Sequence, residues 1–146
     1  MAGKNSGASF PMTLIGKIEG YSINDLLKFY QATKNLDVEL IEQPVLVGKE
    51  DTLDALGEDI RKKIAGDESL KNAKYAIQFA NKKTFGIYNI KLMKCGGIIG
   101  AKDIASVAQN TGIDLFWGCN DESIVSITAA LHVAYSCPNT KYIDLD

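Results

Sequence analysis

The spacing of apolar residues changes period repeatedly along this chain. Short, almost continuously apolar runs alternate with longer stretches that are apolar every third or fourth residue. The first pattern suits a strand buried on both faces, the second an amphipathic helix. A strand is predicted over 12–15, then a helix capped by Ser22 and running to about Ala32, with Ile23, Leu26, Leu27 and Tyr30 on one stripe. The next strand, 38–41, is closed by Pro44, which cannot extend a ladder. A helix over 52–61 is weakened by Gly57. Ile64 and Ala65 make a short strand leading into Asp67, and a helix over 70–80 carries Ala73, Ala76, Ile77 and Ala80 on one side.

In the second half a strand dense in β-formers covers 85–90. A helix over 98–109 turns Ile98, Ala101, Ile104, Ala105 and Ala108 inward and Lys102, Asp103 and Ser106 outward, and Gly112 stops it. A strand over 113–117, a helix over 124–135 and a strand over 142–145 complete the pattern. About six strands and five helices in strict alternation imply parallel strands joined by right-handed crossovers, an α/β fold. Periodicity does not separate an open doubly wound sheet from part of a closed barrel. A whole (β/α)8 barrel takes about 250 residues, so 146 residues are expected to hold part of one at most.

Composition narrows the function classes. With 46% hydrophobic and 23% charged residues and a formal net charge of −2, the chain is ordinary for a soluble domain with one core. Lys and Arg are scattered, so nucleic acid is not an expected partner. No apolar run approaches the roughly 20 residues that span a bilayer, and no membrane partner is expected. Cys95, Cys119 and Cys137 are far apart and outside any paired spacing, which fits a reducing, cytoplasmic setting. Residues 1–9, rich in Gly, Ser and Asn, read as a flexible leader ahead of one domain over 10–146.

Candidate chemistry lies at the strand ends. Glu42, Asp67 and Lys91 each follow a strand and precede a helical segment, at intervals of about 25 residues, one compact strand-plus-helix unit. Side chains at the carboxyl ends of parallel strands converge on one face. Two carboxylates there suit a hard cation such as Mg2+, although each acid could simply favour the helix start that follows it. A partly buried lysine beside them can serve as a base, and Lys94 is read as its electrostatic neighbour. Glu122 is equally readable as a member of this face or as a helix N-terminal acid. Asp144 and Asp146 point the same way on a strand, as an ammonium-binding pair or an acidic tail. His132, Phe116 and Trp117 are read as packing residues.

These segments resemble a known family. Glu42-Gln43-Pro44, Asp67-Glu68-Ser69, the run from Lys91 to Gly97, the stretch from Gly118 to Ser123 and the closing Asp144-Leu145-Asp146 are similar to the enolase superfamily. Within it they look like the muconate-lactonizing-enzyme subgroup, and most like dipeptide epimerases of the L-Ala-D/L-Glu type. The resemblance implies a parallel-stranded partial TIM-type barrel covering about the third to eighth strands. By that likeness Glu42 and Asp67 are Mg2+ ligands, Lys91 is the sixth-strand base, Glu122 is the acid after the seventh strand, and Asp144 with Asp146 holds a substrate ammonium. The implied chemistry is removal of the proton α to a carboxylate through an enediolate.

The sequence departs from that family in two ways. Where the family has an Asp before its Gly-Tyr pair, Gly16 stands here, four residues before Gly20-Tyr21. The family's second-strand Lys-x-Lys, which supplies the opposing base, has no counterpart in this sequence. The expectation is a barrel fragment that binds Mg2+ weakly and turns over little by itself. Two other readings stay open: a class I aldolase-like site in which Lys91 forms a Schiff base, and a non-catalytic folded module. Open barrel edges also predict a homo-oligomer, which sedimentation as a monomer at high concentration would contradict.

Overall fold

The structure is a computed structural model, and it describes residues 20–36 and 38–145. The strand expected over 12–15, Gly16 and Asp146 lie outside the described residues. In chain order the elements are α1 (Ile23–Ala32), β1 (Ile41–Glu42), a 3-10 helix (Glu50–Ala55), α2 (Glu58–Arg61), β2 (Ile64–Gly66) and α3 (Ala73–Lys82). They are followed by β3 (Ile87–Ile90), α4 (Leu92–Cys95), α5 (Gly97–Thr111), β4 (Asp114–Trp117), α6 (Ile124–Tyr135) and β5 (Thr140–Ile143). No described helix is long and apolar enough to cross a membrane.

All five strands are parallel and lie in the order β1-β2-β3-β4-β5. Each new strand is therefore added on the same side of the last. Right-handed crossovers repeated in one direction place every helix on one face, which is how a (β/α) barrel is wound and not how a doubly wound sheet is. Two apolar layers result. The larger packs the helices against the sheet's outer face through Ile41, Ile64, Tyr88, Ile90, Leu115 and Trp117. The smaller, on the inner face, consists of Leu40, Ala65, Ile87 and Phe116, with Tyr142 packed on it.

Most elements form where the periodicity places them, with informative exceptions. The helix expected over 52–61 is two short pieces, because Leu56 is extended and Gly57 becomes the N-cap of α2. In α3 the buried stripe is Ala76 and Phe79, while Ile77 is exposed. Phe79 takes the inward place because its ring meets Phe85 edge to face at 4.9 Å between centroids. In α5, Ala101, Ile104, Ala105 and Ala108 are buried as expected, but Ile98 in the first turn is exposed. The extra helix α4 exists because Gly96 and Gly97, at φ 88° and 81°, turn the chain sharply between it and α5; such a pair of left-handed residues is strained for any side chain bearing a Cβ. His132 is exposed in the last turn of α6 and does not pack.

Candidate active site

Side chains two residues apart on a strand share a face, so the inner apolar layer fixes what lies above it. Two positions beyond Leu40 and Ala65 come Glu42 and Asp67, and beyond Ile87 come Asn89 and then Lys91. Beyond Phe116 the corresponding residue is Gly118. Glu42, Asp67, Asn89 and Lys91 are all buried. The three residues picked out by their spacing are thus brought to one place.

The contacts make this a single electrostatic unit. Lys91 Nζ lies 2.8 Å from Asp67 Oδ2. Lys94, one turn further on in α4, reaches back to Asp67 Oδ1, to the Asp67 carbonyl at 2.6 Å and to the Asn89 carbonyl at 3.1 Å. Asn89 Nδ2 donates to Glu42 Oε1 at 2.8 Å, while its buried Oδ1 has no hydrogen-bond partner. Gly118 must be small: a Cβ there would stand 2.8 Å from Asn89 Oδ1 and 3.2 Å from Lys91 Cε.

The two carboxyl groups are pushed apart in acidity. Burial, together with a hydrogen bond and the charge of Asp67, raises Glu42 to about 7, against the pull of Asn89 and Lys91. Burial would raise Asp67 as well, but the Lys94 charge and the hydrogen bonds from Lys91 and Lys94 hold it down to about 2. Of the two carboxyl groups, Glu42 is therefore the one that holds a proton more tightly. Burial also lowers Lys94, against the attraction of Asp67.

A second network fixes the loops. Gln43, buried and at a positive φ of 38°, accepts from the Asp67 and Ser69 amides at 2.9 and 3.3 Å. It donates to the Val45 carbonyl and to Ser69 Oγ, and Ser69 in turn donates to Glu50. The loop after β1 is in this way tied to the loop after β2, which sets where Asp67 begins. Spacing does not single out Asn89, and the sequence reading takes Lys94 only as an electrostatic neighbour of Lys91. Asn89 could have been found as the only polar residue inside an otherwise apolar strand, and Lys94 by its place one helical turn after Lys91.

The remaining candidates are built differently. Glu122 is half-buried just ahead of α6 and accepts from Ser126 in the first turn of that helix. Its charge is felt by the buried Cys95 thiol, whose pKa is raised first by burial. Asp144 is exposed at the end of β5, with its backbone N–H on the Trp117 carbonyl at 2.9 Å. Trp117 is a core residue whose indole donates to Thr140. Cys95, Cys119 and Cys137 are not joined in disulfides.

The chain is similar to proteins of one chemical kind. It is 49% identical over 129 residues to an L-Lys-D/L-Arg epimerase of Methylococcus capsulatus, covering 88% of this chain and 36% of that protein. It is 32% identical over 130 residues to an L-Ala-D/L-Glu epimerase of Clostridium acetobutylicum, again over 88% of this chain and 36% of the other. The crystal structure of a Methylococcus capsulatus dipeptide epimerase with Mg and the dipeptide L-Arg-D-Lys superimposes with a TM-score of 0.83 at 49% identity, over 85% of this chain and 35% of that one. The chain spans about a third of the length of the curated relatives it matches. The profile of the enolase C-terminal domain-like family matches residues 16–145, so the strand order, the inner-face carboxylates and nearly the whole described chain agree on one assignment: the protein belongs to that family.

Proposed function

We propose that this chain carries the cation-binding and single-base part of a Mg2+-dependent dipeptide epimerase. The observation that carries the reading is the 2.8 Å contact between Lys91 Nζ and Asp67 Oδ2 on the inner face of a barrel-wound sheet, with Glu42 against the same carboxylate. Two buried carboxyl groups in contact fit a hard divalent cation, which takes oxygen ligands and keeps several waters when only one or two carboxylates are offered. Among the described residues no cluster of three His, Cys, Asp or Glu side chains forms. Mg2+, when bound, supplies positive charge opposite a substrate carboxylate as negative charge grows there.

The chain's own residues then have distinct tasks. Glu42 and Asp67 hold the cation. Lys91 takes the proton α to the carboxylate, and burial on the inner face keeps water from competing. Asn89 holds Glu42 in place through its amide. Glu122 and Asp144 are assigned to the substrate, Asp144 with Asp146 binding its ammonium group. The identity with an L-Lys-D/L-Arg epimerase favours a dipeptide with cationic side chains.

Epimerisation needs a base on each face of the α-carbon, and Lys91 serves one. The expected behaviour of the purified chain is therefore slow exchange of the α-proton of one epimer, L-Lys-L-Arg or L-Lys-D-Arg, in D2O with retained configuration and little conversion to the other. L-Ala-L-Glu serves as the comparison substrate. NMR and chiral chromatography read the two outcomes separately, and Lys91→Ala should abolish the exchange. Rapid epimerisation that survives Lys91→Ala would overturn the assignment.

A further inference from the structure

We propose that Lys94 is a built-in occupant of the cation position at Asp67, so that its ammonium and a divalent ion compete for the same carboxylate oxygen. An ammonium has three N–H donors and no acceptor. The three oxygens around Lys94 Nζ are Asp67 Oδ1, the Asp67 carbonyl and the Asn89 carbonyl. They come from the ends of β2 and β3, and they are the carboxylate and carbonyl oxygens that hard cations choose. Lys91 holds the other oxygen, Oδ2, so both faces of the Asp67 carboxylate are already met by positive charge.

The burial of the group supports the assignment. The Lys94 side chain is 15% exposed and the Asp67 side chain 1%. An unpaired Asp67 in this setting would be costly, and Lys94 removes that cost without any ion. The consequence is a site that is folded and neutralised before a metal arrives. A divalent ion must then displace Lys94 from Oδ1. This inference rests on reading Glu42 and Asp67 as the cation site; it adds that the chain's own residue limits affinity there. A lysine acting only as a clamp between the two strand ends would give a different result on removal: less stability, and no gain in metal affinity.

The test measures divalent-ion binding, not turnover. Mn2+ binding is followed by electron paramagnetic resonance and Mg2+ binding by calorimetry at pH 8, for the full chain, Lys94→Gln and Lys94→Met. Both variants are expected to bind about ten-fold more tightly or better, since a positive charge is removed within contact distance of the ion. Unchanged or weaker affinity in folded variants overturns the inference while leaving the cation site standing. Failure of all three proteins to bind Mn2+ removes the cation site and the inference together. If the variants do not fold, the unaltered 15N-lysine-labelled chain decides. Its hydrogen-bonded Lys94 ammonium should be visible by NMR as a slowly exchanging signal and should lose that protection as Mg2+ saturates the site. A Lys94 signal indifferent to saturating Mg2+ overturns the proposal.

Discussion

Acids follow β1 and β2 on one side of the sheet and β4 and β5 on the other, yet the two sides treat them in opposite ways. After the first three strands, Glu42 and Asp67 are buried and are met by Asn89, Lys91 and Lys94 from neighbouring strands or the turn beyond. After the last two, Glu122, just ahead of α6, accepts from a serine in the first turn of that helix, and Asp144 stands exposed. Position relative to a strand end is thus not what makes a carboxylate part of a site. The difference lies in whether an adjacent strand supplies the partner that makes burial tolerable.

The strongest way to break this comparison is to remove the shared partner. Asp67→Ala leaves two buried ammonium groups without their carboxylate. Breaking a buried pair from one side costs about 3–5 kcal/mol, and that loss is expected in urea unfolding at pH 7. A loss under about 1 kcal/mol would mean that the cluster behaves like a surface ion pair and that the two regions do not differ.

Glu42 gives a smaller effect with a definite pH signature. Its folded carboxyl at about 7 lies above its ordinary value of 4.5, so the folded chain holds this proton more tightly than the unfolded one. The stabilisation is full below 4.5 and is lost as pH rises through about 7. Glu42→Gln, which keeps an oxygen for Asn89, should therefore change little at pH 4 and stabilise the chain by up to about 3 kcal/mol at pH 8. Asp67, held at about 2 against an ordinary 3.8, works in the other direction. Its contribution is present above 3.8 and fades only as pH falls through 2, so it does not blur the window from 4 to 8. Chemical denaturation of both proteins across that window reads the difference, and an equal effect at both ends would contradict the raised pKa.

The part of the site that could be read from the sequence is the part written in period and spacing. Glu42, Asp67 and Lys91 recur at one interval because each strand-plus-helix unit has nearly the same length, and the chain direction then brings them to one face. The barrel winding itself was not legible from periodicity, because alternation is identical in a doubly wound sheet; it took the family likeness in advance and the strand order in the structure. The break at Gly57 was visible only as a weak helix residue, since its effect depends on Leu56 adopting an extended backbone. Ile77 is exposed because the α3 stripe turns toward a better partner, the Phe85 ring that meets Phe79, whereas Ile98 is exposed in the first turn of α5 while the rest of that stripe is buried as expected. Lys94 is legible as an electrostatic neighbour of Lys91, but its seat on Asp67 is not, and Asn89 is not legible at all: both depend on backbone carbonyls or an amide orientation, which no residue pattern encodes.

The smallest effect is expected where the comparison says nothing is built. Asp144→Asn removes a charge from an exposed side chain, while the bond that holds its segment, from its own backbone N–H to the Trp117 carbonyl, is untouched. Surface substitutions away from packed or paired groups stay within about 0.5 kcal/mol, and that is the expected change in unfolding free energy. The same substitution should weaken binding of a dipeptide through its ammonium group, because the charge assigned to substrate is not spent on the fold. A stability loss above about 1.5 kcal/mol would show Asp144 to be tied down as Asp67 is, and the contrast between the two halves of the site would fail. Unchanged stability with unchanged dipeptide binding would keep the contrast but take Asp144 out of the substrate site. Stability and binding thus have to be measured on the same variant, since only the pair of results separates an acid that supports the barrel from one held in reserve for a ligand.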